Sequence, residues 1–145
     1  MKLLIIDASS EGQAIVARKI ESFESSDLEM LDLRLKLALE FEYEAHISNA
    51  DIVILGSSLG DKAEQIANSI LLKNSWIHII MYVTDEVYSG GAFRSAYSSG
   101  VRKVLPNSAS TLDLLQELIA IYSEFKKVGK IREGRLVCVT HAKGG

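Results

Sequence analysis

From Leu31 to Ala45 every odd position is apolar: Leu31, Leu33, Leu35, Leu37, Leu39, Phe41, Tyr43 and Ala45. Strict alternation argues for a half-buried strand. Yet "LALEFEYEA" is built from good helix formers and lacks β-branched residues. A strand over 28–35 followed by a helix over 37–48 is the reading that keeps the alternation of strands and helices along the chain. A longer strand or a hairpin is the rival.

The other segments are plainer. Short apolar runs at 2–7 (KLLIID), 51–56 (DIVILG), 76–83 (WIHIIMYV) and 101–106 (VRKVLP) are strand candidates. Between them lie stretches with helical spacing. Val16, Ile20 and Phe23 mark a helix over 12–23; Ala63, Ile66, Ala67 and Ile70 mark one over 62–72. Residues 91–100 read as a short helix closed by Gly100. Ser110 caps the longest helix, 111–128, and Lys126 and Lys127 suit its C-terminal dipole. The result is five βα units. Continuous apolar strands predict an α/β doubly wound domain: a parallel sheet covered on both faces, with right-handed crossovers.

Length and charge narrow the classes. At 145 residues there is room for one domain with one core. A net charge of −3 provides no broad basic surface for nucleic acid or anionic membrane. No apolar run approaches membrane-spanning length, and the first apolar run meets Asp7 too soon for a signal peptide. The single cysteine, Cys138, has no partner for an internal disulfide, which fits a reducing cytoplasm. Set in an apolar run, it reads as inert packing. Residues 129–135, GKIREGR, are polar with two glycines and read as a linker. A new strand then starts at 136.

Candidate chemistry is sparse. His46, His78 and His141 lie on separate segments without helical spacing between them, so no metal site is predicted. His78 interrupts an apolar strand and reads as a hydrogen-bonded core or edge histidine. "GSSLGDK" (56–62) lacks a phosphate-loop fingerprint and reads as a plain βα loop, with Asp61 capping the next helix. Paired glycines in "YSGGAF" (88–93) suit a mobile loop.

The order of segments resembles the response-regulator receiver family over residues 2 to about 128. "KLLIIDAS" is similar to that family's first strand, "DIVILG" to its third, and "AYSSGVRKVLPNSAS" to the stretch before its last helix. The resemblance implies a flavodoxin-like five-stranded sheet in the order 2-1-3-4-5. It also implies site positions, and most have been lost. Asp7 fits the first Mg²⁺-binding acid, but Ala8 replaces the second. Gly56 stands where the phosphorylated Asp belongs, and Asn107 near the phosphate-contacting Lys. Thr84 alone resembles the family's switch hydroxyl. Phosphotransfer needs a carboxylate nucleophile, a metal on hard oxygen ligands and a cation on the phosphate. The expectation is a pseudo-receiver that is not an enzyme.

The ending, "RLVCVTHAKGG", resembles the first strand and deviant phosphate loop of the MinD/ParA ATPases. Lys143 matches that family's signature lysine, and Lys143-Gly144-Gly145 begin the loop. The second loop lysine is absent, so this chain is not expected to bind ATP or Mg²⁺ by itself; both would belong to a longer parent. A degenerate receiver joined to such an ATPase resembles the TadZ/CpaE proteins of Tad (Flp) pilus assembly. That likeness implies a role in self-association or partner binding, placed in the cytoplasm at a cell pole, with pilus assembly or polar proteins as partners. The competing class is a flavodoxin-like domain holding a nucleotide, flavin or small anion at the carboxyl edge of its sheet.

The last helix carries more apolar surface than one core stripe needs. Leu112, Leu115, Ile119 and Tyr122 form one stripe; Leu114, Ile121 and Phe125 form a second, with Leu118 beside it. The second stripe is expected to be the interface of a homodimer, the alternative being that it packs under neighbouring loops or against an attached ATPase domain.

Overall fold

The computed structural model describes residues 1–129 and, beyond them, the backbone of Ile131, Arg132, Arg135 and Leu136. Five parallel strands form one sheet: β1 (Lys2–Asp7), β2 (Arg34–Leu39), β3 (Ile52–Leu55), β4 (His78–Val83) and β5 (Lys103–Pro106). Their order is β2-β1-β3-β4-β5, the doubly wound arrangement expected. β1 and β3 lie side by side, with Leu3 opposite Ile52 and Ile6 opposite Leu55. The central strands are almost wholly buried because helices cover both faces.

One face is covered by α1 (Ser10–Glu21) and α6 (Thr111–Lys127), the other by α3 (Lys62–Lys73) with the short helix α5 (Arg94–Ser98); another short helix, α4 (Asp85–Gly90), buries no residue. Ser110 caps α6 as predicted and does so reciprocally with Asp113, so two otherwise orphaned N–H groups are satisfied. The helix expected at 91–100 is present as α5 but shorter, and a further helix, α4, precedes it over part of the stretch read as a mobile loop at 88–93. Gly91, at φ 71°, ends α4 in a left-handed turn before α5 begins. Gly100 stands just past α5 at φ 101°, the closing position foreseen for it. Asp61 occupies the position before α3, but its side chain makes no capping bond.

Residues 23–50 differ most from expectation. A helix, α2 (Ser25–Leu31), precedes β2 where a strand over 28–35 was predicted. It ends at Asp32, whose φ of 47° breaks the helix. β2 then pairs with β1 from Arg34 to Leu39, and no helix follows over 37–48. Two short 3₁₀ turns, Tyr43–Ala45 and Ile47–Asn49, return the chain to β3. Neither the strand-plus-helix reading nor the long strand is correct. Parallel pairing with β1 makes this stretch a strand, and the residue it buries completely is Ala38, on the face opposite Leu35 and Leu37, which stay exposed at the sheet edge.

α2 also accounts for the double stripe of α6. Leu114, Leu118, Ile121 and Phe125 are buried in the core, not presented to a partner. The predicted interface is therefore withdrawn. Leu115 and Ile119 of the other stripe are partly buried against the same core, alongside Leu28 and Met30 of α2. The helix faces both the sheet and a helix that the sequence pattern had not revealed. At the opposite end of the sheet Arg102 joins three elements. Its guanidinium reaches Glu124 at 2.7 Å, Glu117 at 3.1 Å and Nδ1 of His78 at 3.3 Å. His78 is thus a hydrogen-bonded histidine, as read from the sequence, but it starts an inner strand of the sheet and not an edge strand.

Within the stretch read as a linker, Ile131–Arg132 (β6) and Arg135–Leu136 (β7) pair antiparallel. Cys138, His141 and Lys143-Gly144-Gly145 lie outside the described residues.

Candidate functional site

Parallel strands deliver their carboxyl ends to one edge, and the loops there are where a doubly wound sheet binds ligands. Asp7 closes β1, Gly56 follows β3, Thr84 follows β4 and Asn107 follows β5. The topology thus brings four of the five sequence-selected positions together; the fifth, Ala8, is exposed beside them.

Asp7 does not reach for solvent. Its side chain is only 1% exposed. Its Oδ1 accepts a hydrogen bond from the Ala8 N–H at 2.7 Å, and the Ser58 N–H also supports the carboxylate. Oδ2 lies against the Cα atoms of Gly12 and Gly56, and a Cβ at either glycine would overlap it. Burial pushes the Asp7 pKa up; the two backbone donors oppose that in part, and Glu40 adds a smaller upward push. No ion pair reaches Asp7 among the described residues.

Lys19 and Tyr82 complete the surroundings, and sequence reasoning missed both. The Lys19 ammonium donates to the carbonyls of Asn107 at 3.3 Å and Ala109 at 3.4 Å, and stands 5.7 Å from the centre of the Tyr82 ring. It braces the β5–α6 loop and leaves Asp7 without a counter-ion. Its helical register with Val16 and Ile20 on α1 was the only available signal. The Tyr82 hydroxyl is buried with no hydrogen-bond partner among the described residues, and desolvation pushes its pKa to about 12.

The space framed by Asp7, Gly12, Lys19, Ser57, Tyr82 and Asn107 amounts to only about 10 Å³. That is near the minimum for one water molecule. The loops around it are tied together. Asn107 Nδ2 donates to Ser57 Oγ at 2.9 Å, linking the ends of β5 and β3. Thr84 Oγ1 accepts from the Val87 N–H at 3.3 Å, so this hydroxyl caps α4. Ser108 N–H donates to Asp85 Oδ1 at 3.0 Å. Among the described residues no group of three or more His, Cys, Asp or Glu side chains is placed to hold a metal.

A larger cleft of about 520 Å³ opens beside this cluster, between the Ser57–Leu59 turn, α3 and α4. The charged residues lining it are Asp61 and Glu64, both acidic. An anionic phosphate would meet repulsion there.

No protein-family model matches the sequence, and no curated protein matches it. Solved structures do match. The receiver domain of AraT from Geobacillus stearothermophilus superposes with a TM-score of 0.69 at 14% identity, covering 89% of this chain and 98% of that one. A CheY-like receiver domain protein from Methanospirillum hungatei JF-1 gives 0.64 at 17% identity, covering 88% and 98%. A protein described as a pilus assembly protein (cpaE), from Burkholderia thailandensis E264, gives 0.64 at 15%, covering 85% and 98%. At such identities the likeness is one of fold, and the fold of this chain is the flavodoxin-like fold of receiver domains.

Proposed function

We propose that this chain is a non-phosphorylatable receiver-like interaction and localisation module, serving an attached MinD/ParA-type ATPase in Tad (Flp) pilus assembly. The observation that carries the first half is the Asp7–Gly56 contact. The strand end where the resemblance puts a phosphoacceptor is a glycine, and the carboxylate of Asp7 lies buried where a side chain on that glycine would be. A buried carboxylate against glycine Cα atoms is a poor nucleophile and a poor Mg²⁺ ligand. Ala8 supplies no second ligand.

The pilus assignment is supported by the terminal sequence RLVCVTHAKGG and by likeness to the pilus assembly protein among the solved structures. Lys143, Gly144 and Gly145 contribute only the start of a phosphate cradle, which needs a full loop of N–H groups with a helix N-terminus behind it. ATP and Mg²⁺ are assigned to the longer parent, and polar or pilus proteins are the proposed partners.

Incubation with acetyl phosphate and Mg²⁺, followed by intact mass measurement, tests the core of this reading. No addition is expected. A labile gain of about 80 Da, one phosphoryl group, would overturn it. Micromolar ATP binding by the 145-residue chain would instead favour a ligand-binding domain. The parent gene beyond codon 145 tests the ATPase assignment: Gly-Lys-Thr or Gly-Lys-Ser is expected within a few codons.

A further inference from the structure

β2 ends the sheet on one side, and Arg34, Leu35, Lys36 and Leu37 are all exposed. The Arg34 N–H donates to the Met1 carbonyl at 2.9 Å, so even-numbered residues turn their backbone groups toward β1. Leu35, Leu37 and Leu39 therefore turn theirs to the outer edge. Register with β1 sets the side chains. Leu35 and Leu37 stand beside Leu3 and Ile5 on the α1/α6 face; Arg34 and Lys36 stand beside Lys2 and Leu4 on the other. On that second face the 3₁₀ turns leave a groove of about 300 Å³, bordered by Lys2, Arg34, Lys36, His46 and Asn49. Among the described residues none of Lys2, Arg34 and Lys36 has an ion-pair partner.

Such an edge is complementary to a strand that alternates acidic and apolar residues. The residues that follow β2 in this chain have that alternation: Leu39, Glu40, Phe41, Glu42. Phe41 is 78% exposed. We infer that two copies of this chain pair antiparallel through the β2 edge, about a two-fold axis at Ala38, with residues 40–42 straightening to lengthen the strand.

The register follows from charge and from the fewest residues to be straightened: an axis at Leu39 would also oppose Lys36 to Glu42, but would reach Glu44 with Arg34 only by undoing the Tyr43–Ala45 turn. With the axis at Ala38, Lys36 faces Glu40 of the second copy and Arg34 faces its Glu42. Leu35 faces Phe41, and Leu37 faces Leu39. The odd residues supply the ladder hydrogen bonds; the even ones form the non-hydrogen-bonded pairs, where side chains approach most closely. An axis at Lys36 would set that lysine against its own copy, and one at Leu35 would set Arg34 against Lys36. An axis at Leu37 would pair only Arg34 with an acid. An interface of this kind is self-complementary, as a two-fold requires. What must yield is local but includes the entry to the Tyr43–Ala45 turn, where the Ala45 N–H donates to the Glu42 carbonyl at 3.4 Å and Tyr43 packs against the core. The Glu42 N–H donates to the Leu39 carbonyl at 2.9 Å, the Leu39 N–H to Glu42 Oε1 at 3.1 Å, and Glu40 pairs with Lys62 at 3.2 Å. In the dimer the Leu39 N–H gains the Leu37 carbonyl of the other copy instead.

This deepens the self-association named above but rests on the β2 edge alone, so its failure would leave the argument about Gly56 intact. Sedimentation of the 145-residue chain across a concentration series is the test, with Lys36→Glu and Glu40→Lys as variants. Each variant alone should lower the association constant about tenfold or more, because two symmetry-related pairs become repulsive. An equimolar mixture of the two should recover association as a heterodimer, since every reversed position then faces the opposite sign. Association through residues 136–145 would be indifferent to these charges. A wild-type chain that stays monomeric throughout overturns the inference. So do variants that associate as the wild type does, or a mixture no better than either variant alone.

Discussion

The carboxylate of Asp7 occupies the place that a side chain on Gly56 would fill. Oδ2 and Cγ of Asp7 lie where the Cβ of any other residue at 56 would be, and Gly12 closes the opposite side. Here the acid of β1 is folded into that position and buried, and the two residues have become mutually dependent.

That dependence is measurable. Gly56→Ala should destabilise the fold by about 2 kcal/mol or more, as overpacking of a closed site does. Asp7→Ala removes the obstructing carboxylate, so Gly56→Ala should cost much less in that background. A double-mutant cycle in urea checks it, with a coupling of about 1–3 kcal/mol expected. Additive effects would place the Asp7 carboxylate elsewhere.

Asp7 should also leave a mark on stability against pH. Burial raises its folded-state pKa above 3.8. Between that value and the raised one, the folded chain holds a proton that the unfolded chain has released. Stability attributable to this residue therefore falls as pH rises through the interval and is level above it. Asp7→Asn has no such proton. Its stability should gain on the wild type as pH rises from about 4, and the gap should then hold constant. Denaturant titrations at several pH values read this directly, and parallel curves throughout would contradict it.

Tyr82→Phe should be neutral or stabilising by up to about 1 kcal/mol. The hydroxyl is buried without a partner among the described residues, so its removal relieves a desolvated polar atom. Thermal melting provides the comparison. A loss greater than about 1 kcal/mol would mean that an ordered partner in the small space beside Asp7 satisfies the hydroxyl.

On α6, Leu118→Ala should cost about 2–5 kcal/mol because it opens a cavity in the core. Leu112→Ala, at a side chain 57% exposed, should change stability by about 0.5 kcal/mol or less. Ile121→Glu should unfold the chain and not merely separate a dimer. Urea midpoints for the three would reverse the burial assignment only if Leu112 proved the costly position.

The α/β class, the places of β1, β3, β4 and β5, and the caps at Ser110 and Gly100 were legible in the chain alone. Each of these is local: a run of apolar residues or a capping residue is complete without its neighbours in space. The receiver resemblance added the strand order. The place of the Asp7 carboxylate was not legible in the chain, because it is set by Gly12 and Gly56, which lie on other elements. Only the tertiary structure decided that Leu114, Leu118, Ile121 and Phe125 face inward, since two apolar stripes on one helix look alike until the sheet and α2 are in place. The stretch from Leu31 to Ala45 shows the same limit. Its alternation is compatible with helix formers read locally, but β1 is the partner that turns Arg34–Leu39 into a strand. After Leu39, where β1 has ended at Asp7, no neighbour remains to continue the ladder, and the chain turns.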